Sequence, residues 1–99
     1  MVVAATPKPK RLFSLGNIYL TPGAIETLNE SGQDVASLLR RHIIGDWGDL
    51  DSEDKQANED ALECGARIFS AYIVGNDEKL WVITESDRAS TTVLRPDEY

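Results

Sequence analysis

The chain carries one cysteine, Cys64, and one histidine, His42, among its 99 residues. A lone cysteine excludes an internal disulfide and any cysteine-rich zinc cluster, and a lone histidine leaves no ligand set for structural zinc. Apolar runs are equally scarce, and none approaches the roughly 20 residues that cross a bilayer. The opening Met1–Ala5 is apolar but precedes Lys8, Lys10 and Arg11, and is too short for a secretory signal. The expectation is a soluble, cytoplasmic protein with no metal, no cofactor and no membrane partner.

What is present is enough for one fold. A chain of this length makes a single domain. Its 41% hydrophobic content is too high for a disordered chain of this charge. The charge is unevenly placed. Between Asp46 and Glu63 lie eight acids (Asp46, Asp49, Asp51, Glu53, Asp54, Glu59, Asp60, Glu63) against Lys55, so this stretch holds the whole net charge of −7. Such a field repels phosphate backbones and attracts basic surfaces, which disfavours ordinary nucleic-acid binding.

Along the chain, Met1–Arg11 has prolines between lysines and no hydrophobic period, and reads as a flexible basic arm ahead of a domain over 12–99. Asn17–Leu20 is the first strand. Thr21 as cap and Pro22 at the first helical position predict a short helix to Glu30, packed through Ile25 and Leu28 and closed at Gly32. A second helix over Gln33–Ile44 aligns Val35, Leu38, Leu39, His42 and Ile43 in one stripe. A third, capped by Asp51 or Ser52, runs to Cys64 with a thin apolar side of Ala57, Ala61, Leu62 and Cys64. Arg67–Val74, Leu80–Glu85 and Thr91–Leu94 then read as strands, the first two joined by a Gly75–Glu78 hairpin. The order β-α-α-α-β-β-β, helices followed by an antiparallel meander, is an α+β fold. Thr91–Leu94 would be a sheet edge that a homodimer could cover.

Candidate chemistry divides into two sets. Starting at Asp49, an EF-hand loop would need glycine sixth and glutamate twelfth, where Asp54 and Asp60 stand, so helix capping is the better reading of those acids. The first set is a docking surface of Asp46, Trp47, Asp49, Asp51, Glu53 and Asp54. Here Trp47 is a binding anchor if exposed and a core anchor if not. The second is catalytic: His42 as general base, with Arg67, Arg88 and the hydroxyls of Thr84, Ser86, Ser90, Thr91 and Thr92 to hold an anion. Trp81, mid-strand, is expected in the core. Cys64 has no nearby cation to activate it.

The run His42–Leu50 (His-Ile-Ile-Gly-Asp-Trp-Gly-Asp-Leu), with Glu53, Asp54, Asn58 and Ser70–Tyr72, resembles a family of small bacterial proteins carried by plasmids and other mobile elements. The stretches Leu80–Arg88 and Thr91–Tyr99, and the Thr21–Ala24 helix start, extend the likeness across nearly the whole domain. That resemblance implies an accessory role on a mobile element, without a defined activity. More distantly, helices followed by a meander bearing Arg, Ser, Thr and Tyr are similar to barnase-like and toxin-type ribonucleases, whose basic RNA-binding face this chain lacks. Two functions are therefore expected to compete. One is a protein-binding inhibitor of a host nucleic-acid-handling or defence system, with an acidic, phosphate-imitating face and a basic partner. The alternative is a metal-independent ribonuclease using His42, Arg67 and Arg88.

Overall fold

The computed structural model describes Lys10–Tyr99; Met1–Pro9, and with them most of the expected arm, fall outside the described residues. The elements are β1 (Asn17–Leu20), α1 (Pro22–Ser31), α2 (Val35–Ile43), α3 (Ser52–Cys64), β2 (Ile68–Val74), β3 (Glu78–Thr84), β4 (Ser90–Leu94) and a closing 3-10 turn, Pro96–Glu98. This is the expected α+β order. One sheet runs β1-β4-β3-β2, antiparallel except that β1 lies parallel to β4. The return of β1 beside β4 corrects the expectation that Thr91–Leu94 is an edge: the edges are β1 and β2.

Each helix starts on a side-chain oxygen that accepts an otherwise orphaned backbone N–H. Thr21 accepts from Ala24, Asp34 from Ala36 and Asp51 from Asp54, at 3.2, 3.1 and 2.8 Å. Each such cap contributes about 1 kcal/mol. The start of α1 is reinforced from the far end of the chain. Glu98 accepts from the Thr21 hydroxyl at 2.6 Å and from Gly23 N–H at 3.0 Å. A side chain at position 23 would collide with that carboxylate. These contacts hold the Glu98 carboxyl below its ordinary range, the Thr21 bond contributing most.

Two apolar clusters sit on the inner face of the sheet. The larger joins Ala24 and Leu28 of α1, Leu38 and Leu39 of α2, and Tyr72, Val74, Leu80, Val82 and Val93 of the sheet. The smaller joins Trp47, Ala61 and Ile68, with Phe13, Leu50 and Leu62 against them. Three expectations are corrected. Ile25 points outward at 47% exposure, because the 3.6-residue period turns Ala24, Thr27 and Leu28 to the sheet instead. Ala57 and Cys64 are exposed on α3, and the residue it buries besides Ala61 is Asn58. Trp81 lies on the outer face, half-buried between Phe69 and Tyr99, because alternation along β3 gives the inner face to Leu80 and Val82.

Candidate functional site

His42, in the last turn of α2, has no exposed surface. Its Nδ1 meets Ser70 Oγ at 2.5 Å and its Nε2 meets Thr84 Oγ1 at 2.9 Å. Thr84 Oγ1 lies 2.7 Å from Thr91 Oγ1, and the Thr91 hydroxyl donates to the Leu15 carbonyl at 2.7 Å. That last bond sets the direction of the whole chain. Thr91 has spent its only proton, so Thr84 must donate to it, and His42 must donate from Nε2 to Thr84. Ser70 then donates to Nδ1. The imidazole is neutral and fully satisfied, and burial, helped by the charge of Arg88, lowers its pKa to about 3.

A Ser–His pair at this distance has the geometry of an activated nucleophile. Here no substrate can reach it. The register places the pair on the inner face, where Ser70 and Thr84 border both apolar clusters, so the chain is a buried polar seam between them. The catalytic reading of His42 is corrected accordingly. Thr84 and Thr91, expected among anion-binding hydroxyls, are consumed by the same seam.

The two candidate arginines do not converge. Arg88 donates to the carbonyls of Ala61, Ala66 and Glu85 at 3.1, 2.6 and 3.1 Å. It thereby neutralises carbonyls at the negative end of α3 and ties the β3–β4 turn to that helix. Arg67 stands on the opposite face of the sheet, donating to Tyr99 Oη at 2.8 Å and paired with Glu85 at 3.1 Å. There it borders an open depression of about 500 Å³ whose other walls are Asp54, Phe69, Trp81, Ile83 and Tyr99.

The acidic stretch separates into latches and a free face. Asp46 receives both the Nε and the Nη2 of Arg41, at 2.7 and 3.3 Å, which draws its carboxyl below the usual range. The same Arg41 lies 4.5 Å over the Tyr72 ring, and Tyr72 donates to the Asp46 carbonyl at 2.6 Å. Asp49 pairs with Lys79 at 3.0 Å. These contacts fasten the loop between α2 and α3 along β2, where Ala71 N–H donates to the Trp47 carbonyl at 3.1 Å and Asp49 N–H donates to the Ala71 carbonyl at 2.6 Å. Only glycine fits at position 48, since a Cβ there would meet the Ala71 carbonyl at 2.0 Å. Trp47 is 4% exposed beneath this loop, so it is a core anchor and not a docking residue.

Asp51 caps α3, while Glu53, Asp54, Glu59, Asp60 and Glu63 are exposed, and no ion pair involves any of them among the described residues. At about 100° per residue, Glu53, Glu59, Asp60 and Glu63 fall within about a third of a turn, opposite Asn58 and Ala61. This stripe includes three residues, Glu59, Asp60 and Glu63, that the expected docking set omitted. Asn58 was also missed as a structural residue. Its amide accepts from Phe69 N–H at 3.0 Å and donates to the Phe69 carbonyl at 2.6 Å, replacing a neighbouring strand. The usable signal was an amide standing alone on the small-residue side of a charged helix.

Comparisons with models of known protein families, with curated proteins and with solved structures find no match to the chain. No helix among the described residues is long and apolar enough to cross a membrane.

Proposed function

We propose that the protein acts by binding another protein, offering the outward stripe of α3 to a basic surface. The observation that carries this reading is the set of four carboxylates, Glu53, Glu59, Asp60 and Glu63, aligned on one exposed helix face and in no ion pair among the described residues, with Lys55 the one base on the helix. A surface of that kind engages lysines and arginines that otherwise hold phosphates. The proposed partner is therefore a nucleic-acid-handling or defence protein of the host, consistent with the resemblance to mobile-element proteins. Asp54, round the helix from the stripe, lines the aromatic depression of Phe69, Trp81 and Tyr99, a separate place where a partner's guanidinium or ammonium could stack. Asp46 and Asp49 belong to the loop latches and drop out of the docking set.

The ribonuclease alternative needs an accessible base, and His42 is buried and neutral. Affinity purification with tagged protein from a host lysate, followed by mass spectrometry, tests the proposal. A stoichiometric complex should weaken with added salt and with the triple change Glu53→Lys, Asp60→Lys and Glu63→Lys. The same charge change at Glu26, Glu30 and Glu78, outside α3, should leave it intact. Capture that ignores salt and survives the α3 triple removes the electrostatic face from the function.

A further inference from the structure

The two edges of the sheet are finished differently. At β2, both backbone groups of Phe69 are taken by Asn58, and both groups of Ala71 by Trp47 and Asp49. At β1, Asn17 N–H donates to Ala89 at 3.0 Å and Thr21 N–H to Val93 at 3.1 Å, both toward β4. Alternation then turns the N–H and C=O of Ile18 and Leu20 outward, where no strand lies among the described residues. Apart from the shortness of β1, four residues, no guard covers this edge among the described residues. Leu12–Ile25 contains no charged residue, although 27% of the chain is charged. Leu12, Ile18, Tyr19 and Ile25, between 44% and 55% exposed, all lie in this stretch.

We infer that β1 is a self-association edge, pairing antiparallel with β1 of a second copy about a two-fold axis through Tyr19. This inference is independent of the acidic-face reading. The register sets Ile18 opposite Leu20 of the second copy, and Leu20 opposite its Ile18. Every outward N–H and C=O of those residues is then satisfied, and the sheet continues with its faces preserved. Tyr19 meets its own copy in the non-hydrogen-bonded position, where side chains approach most closely. An axis through Ile18 instead would leave the groups of Leu20 facing Gly16, which is in the left-handed conformation at φ 64° and cannot extend the ladder.

The self-complementary register favours a second copy, and charge disfavours a basic or acidic partner. The edge is uncharged, so it offers nothing to a basic or acidic segment, whereas its own uncharged copy fits it. The acidic helix packs at β2, the far edge. In the paired sheet the two β2 strands stand roughly 34 Å apart at standard strand spacing. That is several screening lengths at physiological ionic strength, so the net charges of −7 do not oppose pairing. The paired sheet would carry one acidic helix at each end.

Sedimentation velocity over a dilution series tests this with the full chain. A contact this small should give a concentration-dependent dimer that dissociates on dilution. Tyr19→Lys, at an exposed position and with folding checked by circular dichroism, sets like charges face to face and should weaken pairing about tenfold or more. In a Cys64→Ser background, Tyr19→Cys should oxidise to a covalent dimer, while Ile73→Cys on β2, the opposite edge of the sheet, should not. A monomer at every concentration, a dimer indifferent to Tyr19→Lys, or equal cross-linking at both cysteines overturns the inference.

Discussion

Helices α2 and α3 both open on an aspartate cap and both lie against the sheet. Yet α2 buries Leu38, Leu39, His42 and Ile43, whereas α3 buries only Asn58 and Ala61. Their charges differ in the same sense. Arg41, in the last turn of α2, is spent on Asp46 and the Tyr72 ring, while the carboxylates along α3 are left to solvent. One helix holds the domain together and the other displays charge. A helix that contributes little to the core can carry a surface that would be too costly on an element with more packing to protect.

The largest effect that sharpens this contrast is on α2. Leu38→Ala empties a site in the main cluster, and should cost about 2–5 kcal/mol in chemical denaturation. An alanine in place of Leu62, half-buried on α3, should cost clearly less. Equal losses would break the comparison.

Next in size is the acid response of His42. The unfolded imidazole titrates near 6.5 and the folded one at about 3, so falling pH drives protons preferentially onto the unfolded chain. Stability from this group is fully present above about pH 6.5 and declines progressively toward pH 3, by on the order of a few kcal/mol. Because the histidine is unique, its ring resonances can be followed alone by NMR. They should stay fixed between pH 8 and 5. A midpoint near 6.5 in the folded protein would show that the polar seam is open to water.

The seam also marks how far the sequence could be read. Periodicity and capping residues located every strand and α-helix, though not the closing 3-10 turn, since Thr21-Pro22, Gly32, Asp51 and Gly65 act within a few residues of themselves. The stripe on α2 placed His42 inward for the same local reason. What His42 meets there depends on Ser70, Thr84 and Thr91, which are brought together only by strand register, and no local pattern distinguishes them from an exposed anion site. The same limit applies to β1. Its pairing with β4 joins residues some seventy positions apart in sequence, roughly Ile18 with Thr91, so the true edge was hidden until the sheet was assembled. Trp47 is the core anchor its setting between two glycines suggested, whereas Trp81 is not, because burial of a strand residue depends on which face the helices cover.

Asn58 gives an effect of intermediate size at the junction of the two regions. Asn58→Ala leaves the N–H and C=O of Phe69 without their partner at a half-buried edge, costing about 1–3 kcal/mol. Hydrogen exchange should speed up first at the Phe69 amide and along α3, with α2 protected. Uniform loss of protection would mean that α3 is bound into the same cooperative unit as α2.

The smallest effects belong to the acidic stripe, and their signs separate stability from binding. Glu53 sits in the first turn of α3, where its charge favours the positive end of the helix dipole, so Glu53→Lys should destabilise by a few tenths of a kcal/mol. Glu63 sits in the last turn, where the same charge is unfavourable, and Glu63→Lys should stabilise by a similar amount. Thermal melts at low salt resolve the difference, and added salt should shrink it. Binding of a basic partner should weaken in both variants, because each removes a carboxylate from the same outward face. If affinity instead followed stability, rising with Glu63→Lys and falling with Glu53→Lys, the partner would be responding to how well α3 is formed and not to the charge it displays.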